Sequence, residues 1–119
     1  MRILLIEDHQ PCVEGFRCLM ETYLPEAEVS HCTTLHDAIA ALQEDAPYDV
    51  IVLDLGLPDA KETESVRVLV RLAPDIPIVV YTAHAQYRDA CAEYGIGIYL
   101  VKADIDGYEL ASTLQRLIT

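Results

Sequence analysis

Short, continuous apolar runs alternate with amphipathic stretches along the whole chain. The runs are ILLI at 3–6, VIVL at 50–53, IVVY at 78–81 and IYLV at 98–101, with a weaker one near 28–31. The four strong ones are brief and rich in branched aliphatics, which suits strands buried on both faces. Between them, apolar residues return at helical spacing. Val13, Phe16, Met20 and Tyr23 share one face; so do Leu35, Ala38, Ile39 and Leu42. Val66, Leu69, Val70 and Ala73 form a third face, and Leu110, Leu114, Leu117 and Ile118 a last one. A further stretch, Tyr87, Ala90, Cys91 and Tyr94, fits the same template with smaller residues, so that helix should bury the least area and dock least firmly. Pro11 marks a helix start, and Thr34 three residues before Asp37 marks another. Pro25, Pro47 and Pro74 follow the first three helical stretches as stops.

Strand followed by helix, repeated over the chain, predicts an α/β domain: an open, doubly wound parallel sheet with helices on both faces. Right-handed crossovers bring the C-terminal ends of all strands to one edge. Ligands of such sheets bind beyond that edge, where the strand order reverses. The residues that follow each strong run are therefore gathered there: Glu7 and Asp8, then Asp54, then Thr82, then Lys102. Any one of them alone reads as a loop start or a cap. Three carboxylates, a hydroxyl and an ammonium on one edge are harder to dismiss.

Charge sharpens this picture. Twenty acids against eight Lys and Arg leave a net charge of −12 over 119 residues. Phosphate-backbone binding needs basic patches, so direct nucleic-acid binding by this domain is not expected. No apolar run nears the ~20 residues of a membrane span, and the N-terminus lacks the pattern of a secretory signal; a cytoplasmic domain is expected. Cys12, Cys18, Cys32 and Cys91 contain no Cys-x-x-Cys pair and read as small, buried, reduced residues. The segment from His31 and Cys32 to His36 has no second cluster and reads as coincidence.

Neighbouring carboxylates repel. Each pair at ~4 Å costs ~4 kcal/mol at an effective dielectric of ~20. Such a group calls for a cation, and oxygen ligands with room for water favour Mg²⁺ over zinc. A metal beside a carboxylate, a hydroxyl and a lysine suits phosphoryl transfer, with the carboxylate as nucleophile and the cations neutralising charge on the moving oxygens.

The stretches IEDH at 6–9, VLDLGLP at 52–58, YTA at 81–83 and YLVK at 99–102, in that order and at those separations, resemble a two-component response-regulator receiver domain across the whole chain, 1–119. The resemblance implies a flavodoxin-like (βα)5 fold with strand order 2-1-3-4-5. It implies that Asp54 is the phosphoacceptor, charged by a histidine kinase or phosphotransfer protein. It makes Asp8 a direct Mg²⁺ ligand, Glu7 the second acid, and Gly56 a ligand through its backbone carbonyl, beside Asp54 itself. Thr82, Ala83 and Lys102 would contact the phosphoryl group. Thr82 and Tyr99 would form the switch that alters the face made by helix 4, strand 5 and helix 5. Implied partners are that kinase and a downstream output domain or protein, with homodimerisation on phosphorylation, and no membrane. The only catalysis implied is the domain's own phosphorylation and dephosphorylation.

Some residues depart from the family pattern. Glu7 stands where the family often has aspartate. Ala103 follows Lys102 where the family usually has a proline behind a cis bond, so either a costly non-proline cis bond is carried or the loop differs. DAKETES, after Pro58, has no glycine, which leaves the path of that loop open. An acid before His9 and the missing proline resemble receivers joined to helix-turn-helix domains. Plainer readings remain for single residues: Tyr99 as an ordinary strand residue, Thr82 as a helix cap, Tyr81 as core, Lys102 as a solvated strand end, and His9 and His84 as exposed loop residues. Two other functions also remain. A receiver-like module could bind a partner without phosphorylation. A phosphatase with an aspartyl intermediate is the other; the haloacid-dehalogenase type carries a second aspartate two positions after its nucleophile, where this chain has Gly56.

Overall fold

The apolar runs become strands because both their faces are covered. A computed structural model describes residues 1–44 and 47–118; Thr119, the last residue of the expected 1–119 domain, lies outside them. The elements are β1 (Arg2–Ile6), α1 (Gln10–Tyr23), β2 (Glu28–Cys32), α2 (Leu35–Leu42), β3 (Val50–Leu53), α3 (Glu64–Leu72), β4 (Ile78–Thr82), α4 (Arg88–Glu93), β5 (Ile98–Val101) and α5 (Gly107–Ile118). The five strands are parallel, in the order β2-β1-β3-β4-β5. This is the flavodoxin-like, doubly wound arrangement that the sequence implies.

Side chains alternate across each strand and sort the core into two layers. Ile3, Leu5, Val50, Val52 and Val79 point to the face covered by α1 and α5, where they meet Val13, Phe16, Met20, Leu110 and Leu114. Leu4, Ile6, Ile51, Leu53 and Val80 point to the other face, toward Leu35, Val66, Leu69 and Cys91. Gly107 lets α5 approach α1 closely: a Cβ there would lie 2.1 Å from Leu19 Cδ2.

The helix signals operate largely as the sequence implies. Pro11 lies in the first turn of α1. The Thr34 hydroxyl accepts the Asp37 N–H at 3.0 Å and caps α2. Asp106 does the same for α5, accepting from Glu109 N at 2.8 Å. The fourth helix is the shortest, at six residues, and Cys91 is the one residue it buries. Its C-terminus closes in a Schellman motif: Gly95, at φ 90°, donates to Ala92 O and Ile96 donates to Cys91 O.

Other expectations need correction. Tyr23 is not core; it is 44% exposed and meets Tyr108 of α5 edge-on, ring centroids 5.8 Å apart. Ile118 is also exposed. Of the four free cysteines, Cys91 alone is fully buried and Cys18 is exposed. The loop after Pro58 turns without glycine because Glu62 takes the left-handed conformation, φ 52°. The described residues contain no cis peptide, so the chain leaves Lys102 through a trans bond and the following loop follows a different path.

Candidate functional site

Strand pairing runs one residue past the strands and levels the polar ends. Glu7 N donates to Cys32 O, Asp54 N to Ile6 O and Lys102 N to Thr82 O, at 2.9, 3.0 and 2.8 Å. These backbones are fixed by the sheet, so their side chains share one crevice. One oxygen each from Glu7, Asp8 and Asp54 falls within 4.8 Å of the others. Lys102 Nζ lies 2.5 Å from Glu7 Oε1 and 3.7 Å from Asp54 Oδ2. Glu7 is buried, Asp54 and Lys102 half-buried, and Asp8 open to solvent.

Burial and neighbours set the charges. Burial, then the adjacent Asp54, push the Glu7 carboxyl up to about 7 against the pull of Lys102. Burial would raise Asp54 too, but the Glu7 carboxyl, the Lys102 charge, the Thr82 hydroxyl and the Gly56 N–H outweigh it and hold Asp54 below the usual aspartate range. Burial opposes the Lys102 ammonium, yet Glu7 and Asp54 raise it above the usual lysine range. One lysine thus leaves the acids under-compensated near neutral pH. An oxygen-only donor set short of positive charge fits a hard divalent ion, and Glu7, Asp8 and Asp54 are the residues that could hold it. Gly56 lies at the mouth of the crevice: a Cβ there would make ordinary contacts, 3.7 Å from Asp54 Oδ2 and 3.9 Å from His84 Nε2.

Thr82, at the end of β4, is fully buried, and its hydroxyl accepts the His84 N–H at 3.3 Å. Ala83 beside it is exposed. Tyr99 is 7% exposed and its hydroxyl donates to the His84 carbonyl. His84 therefore ties Thr82 and Tyr99 together through its backbone, a link that no local sequence pattern signals. Tyr81 is half-buried rather than core, and Lys102 Nζ rests 5.4 Å from its ring centroid. His31 donates to the Glu7 carbonyl at 2.9 Å, and the His9 N–H to Glu7 Oε2 at 3.3 Å. Asp59, which the sequence reading passed over, accepts from Leu35 N and His36 N at 2.8 and 3.0 Å, fastening the loop after β3 to the start of α2.

Among the described residues, no helix is long and apolar enough to cross a membrane. The model of the response regulator receiver domain family matches residues 3–115. The DNA-binding transcriptional activator DevR/DosR of Mycobacterium tuberculosis is 32% identical over 119 residues, 97% of this chain and 53% of its own length. The chain spans about half the length of the curated relatives it matches. Among the solved structures it resembles, two that each cover 98% of it are informative. A LuxR-family two-component response regulator from Aurantimonas is 28% identical, with a TM-score of 0.84 over 84% of its chain. The receiver domain of sensor histidine kinase PA1611 from Pseudomonas aeruginosa, solved with a magnesium ion in its active-site cleft, is 26% identical, with a TM-score of 0.81 over 96% of its chain. Sequence match and sheet order agree with what the crevice suggests, and the chain belongs to the response regulator receiver domain family of two-component systems.

Proposed function

We propose that residues 1–119 form a cytoplasmic receiver domain that accepts a phosphoryl group on Asp54 from a histidine kinase or phosphotransfer protein. The observation that carries this reading is the meeting of Glu7, Asp8, Asp54 and Lys102 at one sheet edge. An Asp54 carboxylate oxygen attacks phosphorus, the new O–P bond forms as the donor's N–P bond breaks, and the donor imidazole, already protonated on its other ring nitrogen, takes the electron pair and leaves neutral. Asp54 is suited to this because its neighbours keep it ionised. Mg²⁺, when held by Glu7, Asp8, Asp54 and the Gly56 carbonyl, supplies charge neutralisation for the transferring oxygens. Lys102 answers the added charge directly, the Thr82 hydroxyl bonds a phosphoryl oxygen, and exposed Ala83 leaves room beside it.

The output follows from differential contacts. A phosphoryl group that engages Thr82 also acts on His84 and Tyr99, and so on α4 and β5. The face formed by α4, β5 and α5 then changes for an output domain, a partner protein or a second copy. Apart from its own phosphorylation and dephosphorylation the domain is not an enzyme. Incubation with acetyl phosphate and Mg²⁺ is expected to add one phosphoryl mass, lost in Asp54→Ala and without Mg²⁺. Equal modification of the Asp54→Ala variant overturns the assignment.

A further inference from the structure

The switch aromatic is held from a side the family pattern does not mention. β5 is the last strand of the sheet, so its outward carbonyls have no strand to pair with. Arg88, the first residue of α4, takes one of them: its guanidinium donates to the Tyr99 carbonyl at 3.1 Å. The same guanidinium covers the Tyr99 ring, Cζ 5.0 Å from the centroid. The far end of that ring is anchored by the hydroxyl bond to His84 O. Tyr99 is thus gripped at its carbonyl, its ring face and its hydroxyl, and two of the three grips come from one side chain. Little else joins α4 to the domain, since Cys91 is the one residue it buries.

We propose that Arg88 is a positioning residue of the switch, holding Tyr99 in its inward seat before any phosphoryl group arrives and making α4 and β5 move as one body. This rests on the reading of Asp54 as phosphoacceptor. In the resting protein the inward arrangement is already populated, so phosphorylation spends little of its interaction energy on seating the ring. Without Arg88 the ring is divided between seats. A phosphoryl analogue that needs the inward one then binds more weakly, by the fraction of molecules still docked. Lysine at 88 keeps a charge but lacks the planar fork that spans a carbonyl and a ring face, so it should rescue only in part.

The test uses the chain labelled with ¹³C at tyrosine, with Mg²⁺, titrated with beryllofluoride. In the unmodified sequence, Tyr99 ring signals should be sharp without beryllofluoride and pass to a second sharp set on its addition, as α4 and β5 move together. Arg88→Ala should broaden or move those signals in the beryllofluoride-free protein, restore them at saturation, and weaken apparent beryllofluoride affinity about fivefold, with Arg88→Lys between the two. Should Arg88→Ala fail to fold, Arg88→Lys and Arg88→Gln carry the same readouts. Unchanged Tyr99 signals together with unchanged affinity in the folded variants overturn the proposal. A merely structural arginine would lower melting temperature while leaving both readouts where they were. Asp54→Ala separates the two readings. If beryllofluoride still shifts that variant, the phosphoacceptor assignment fails, whereas the Arg88 effect on Tyr99 without beryllofluoride is judged independently.

Discussion

The centre of the sheet and its β4–α4–β5 side are built in different ways. β1 and β3 lie between other strands and between helices, and Ile3, Leu4, Ile6 and Val50 to Leu53 have no exposure at all. Glu7 and Asp54 are extensions of those strands, so the acids inherit the rigidity of the core. On the other side a six-residue helix with one buried side chain covers an edge strand. There the contacts are specific and few: Arg88 on Tyr99, Tyr99 on His84, His84 on Thr82. The acids are thus set by close packing, whereas the β4–α4–β5 side is held by polar contacts with little apolar area beneath, which is what the proposed switch requires.

The sharpest way to break this contrast is truncation on each side. Leu53→Ala, at the fully buried end of β3, should cost about 3 kcal/mol in urea unfolding. Cys91→Ala, equally buried but on α4, removes one sulfur and should cost about 1 kcal/mol. Equal losses would mean that α4 is held as firmly as the centre.

Asp59→Ala tests how the loop after β3 is fixed and should cost about 1 kcal/mol, as loss of a helix cap does. Its pH dependence has a definite sign. The N–H groups of Leu35 and His36 hold the Asp59 carboxyl below its unfolded value of 3.8. The stabilisation is therefore complete above that value and is lost as pH falls through the lower, folded one. The gap between Asp59→Ala and the unmodified chain should close on acidification and stay constant from pH 6 to 8; urea midpoints measured across that range decide it. Smallest, and opposite in sign, is Ser65→Ala. Among the described residues the Ser65 hydroxyl, buried on α3, has no hydrogen-bond partner, so removal should raise stability by about 0.5 kcal/mol. A loss on calorimetric melting would mean that the hydroxyl has a partner in solution.

Much of this was legible in the chain because it is written at short range. A continuous apolar run followed by a polar residue states both that a strand is buried and where it ends. Four such runs sufficed to place Glu7, Asp8, Asp54, Thr82 and Lys102 at one edge. Helix starts at Thr34 and the meagre apolar face of α4 were equally local. What escaped depends on contacts between distant residues. Asp59 caps a helix that begins 24 residues earlier. Arg88 reads as an ordinary exposed helix residue until β5 is placed beside it. Tyr23 has the right spacing for burial, but it lies at the last turn of α1, where the ring reaches Tyr108 instead of the sheet. Glu62 could not be foreseen in a left-handed turn, because most non-glycine residues avoid one.

The position of β5 at the margin has one more consequence. A strand paired on a single side can shift without pulling four others along, so the deformation needed to broadcast a chemical event stays local. On the proposed function, the acids at the centre would keep their spacing through each cycle of charging and discharge while the perimeter alone changed shape.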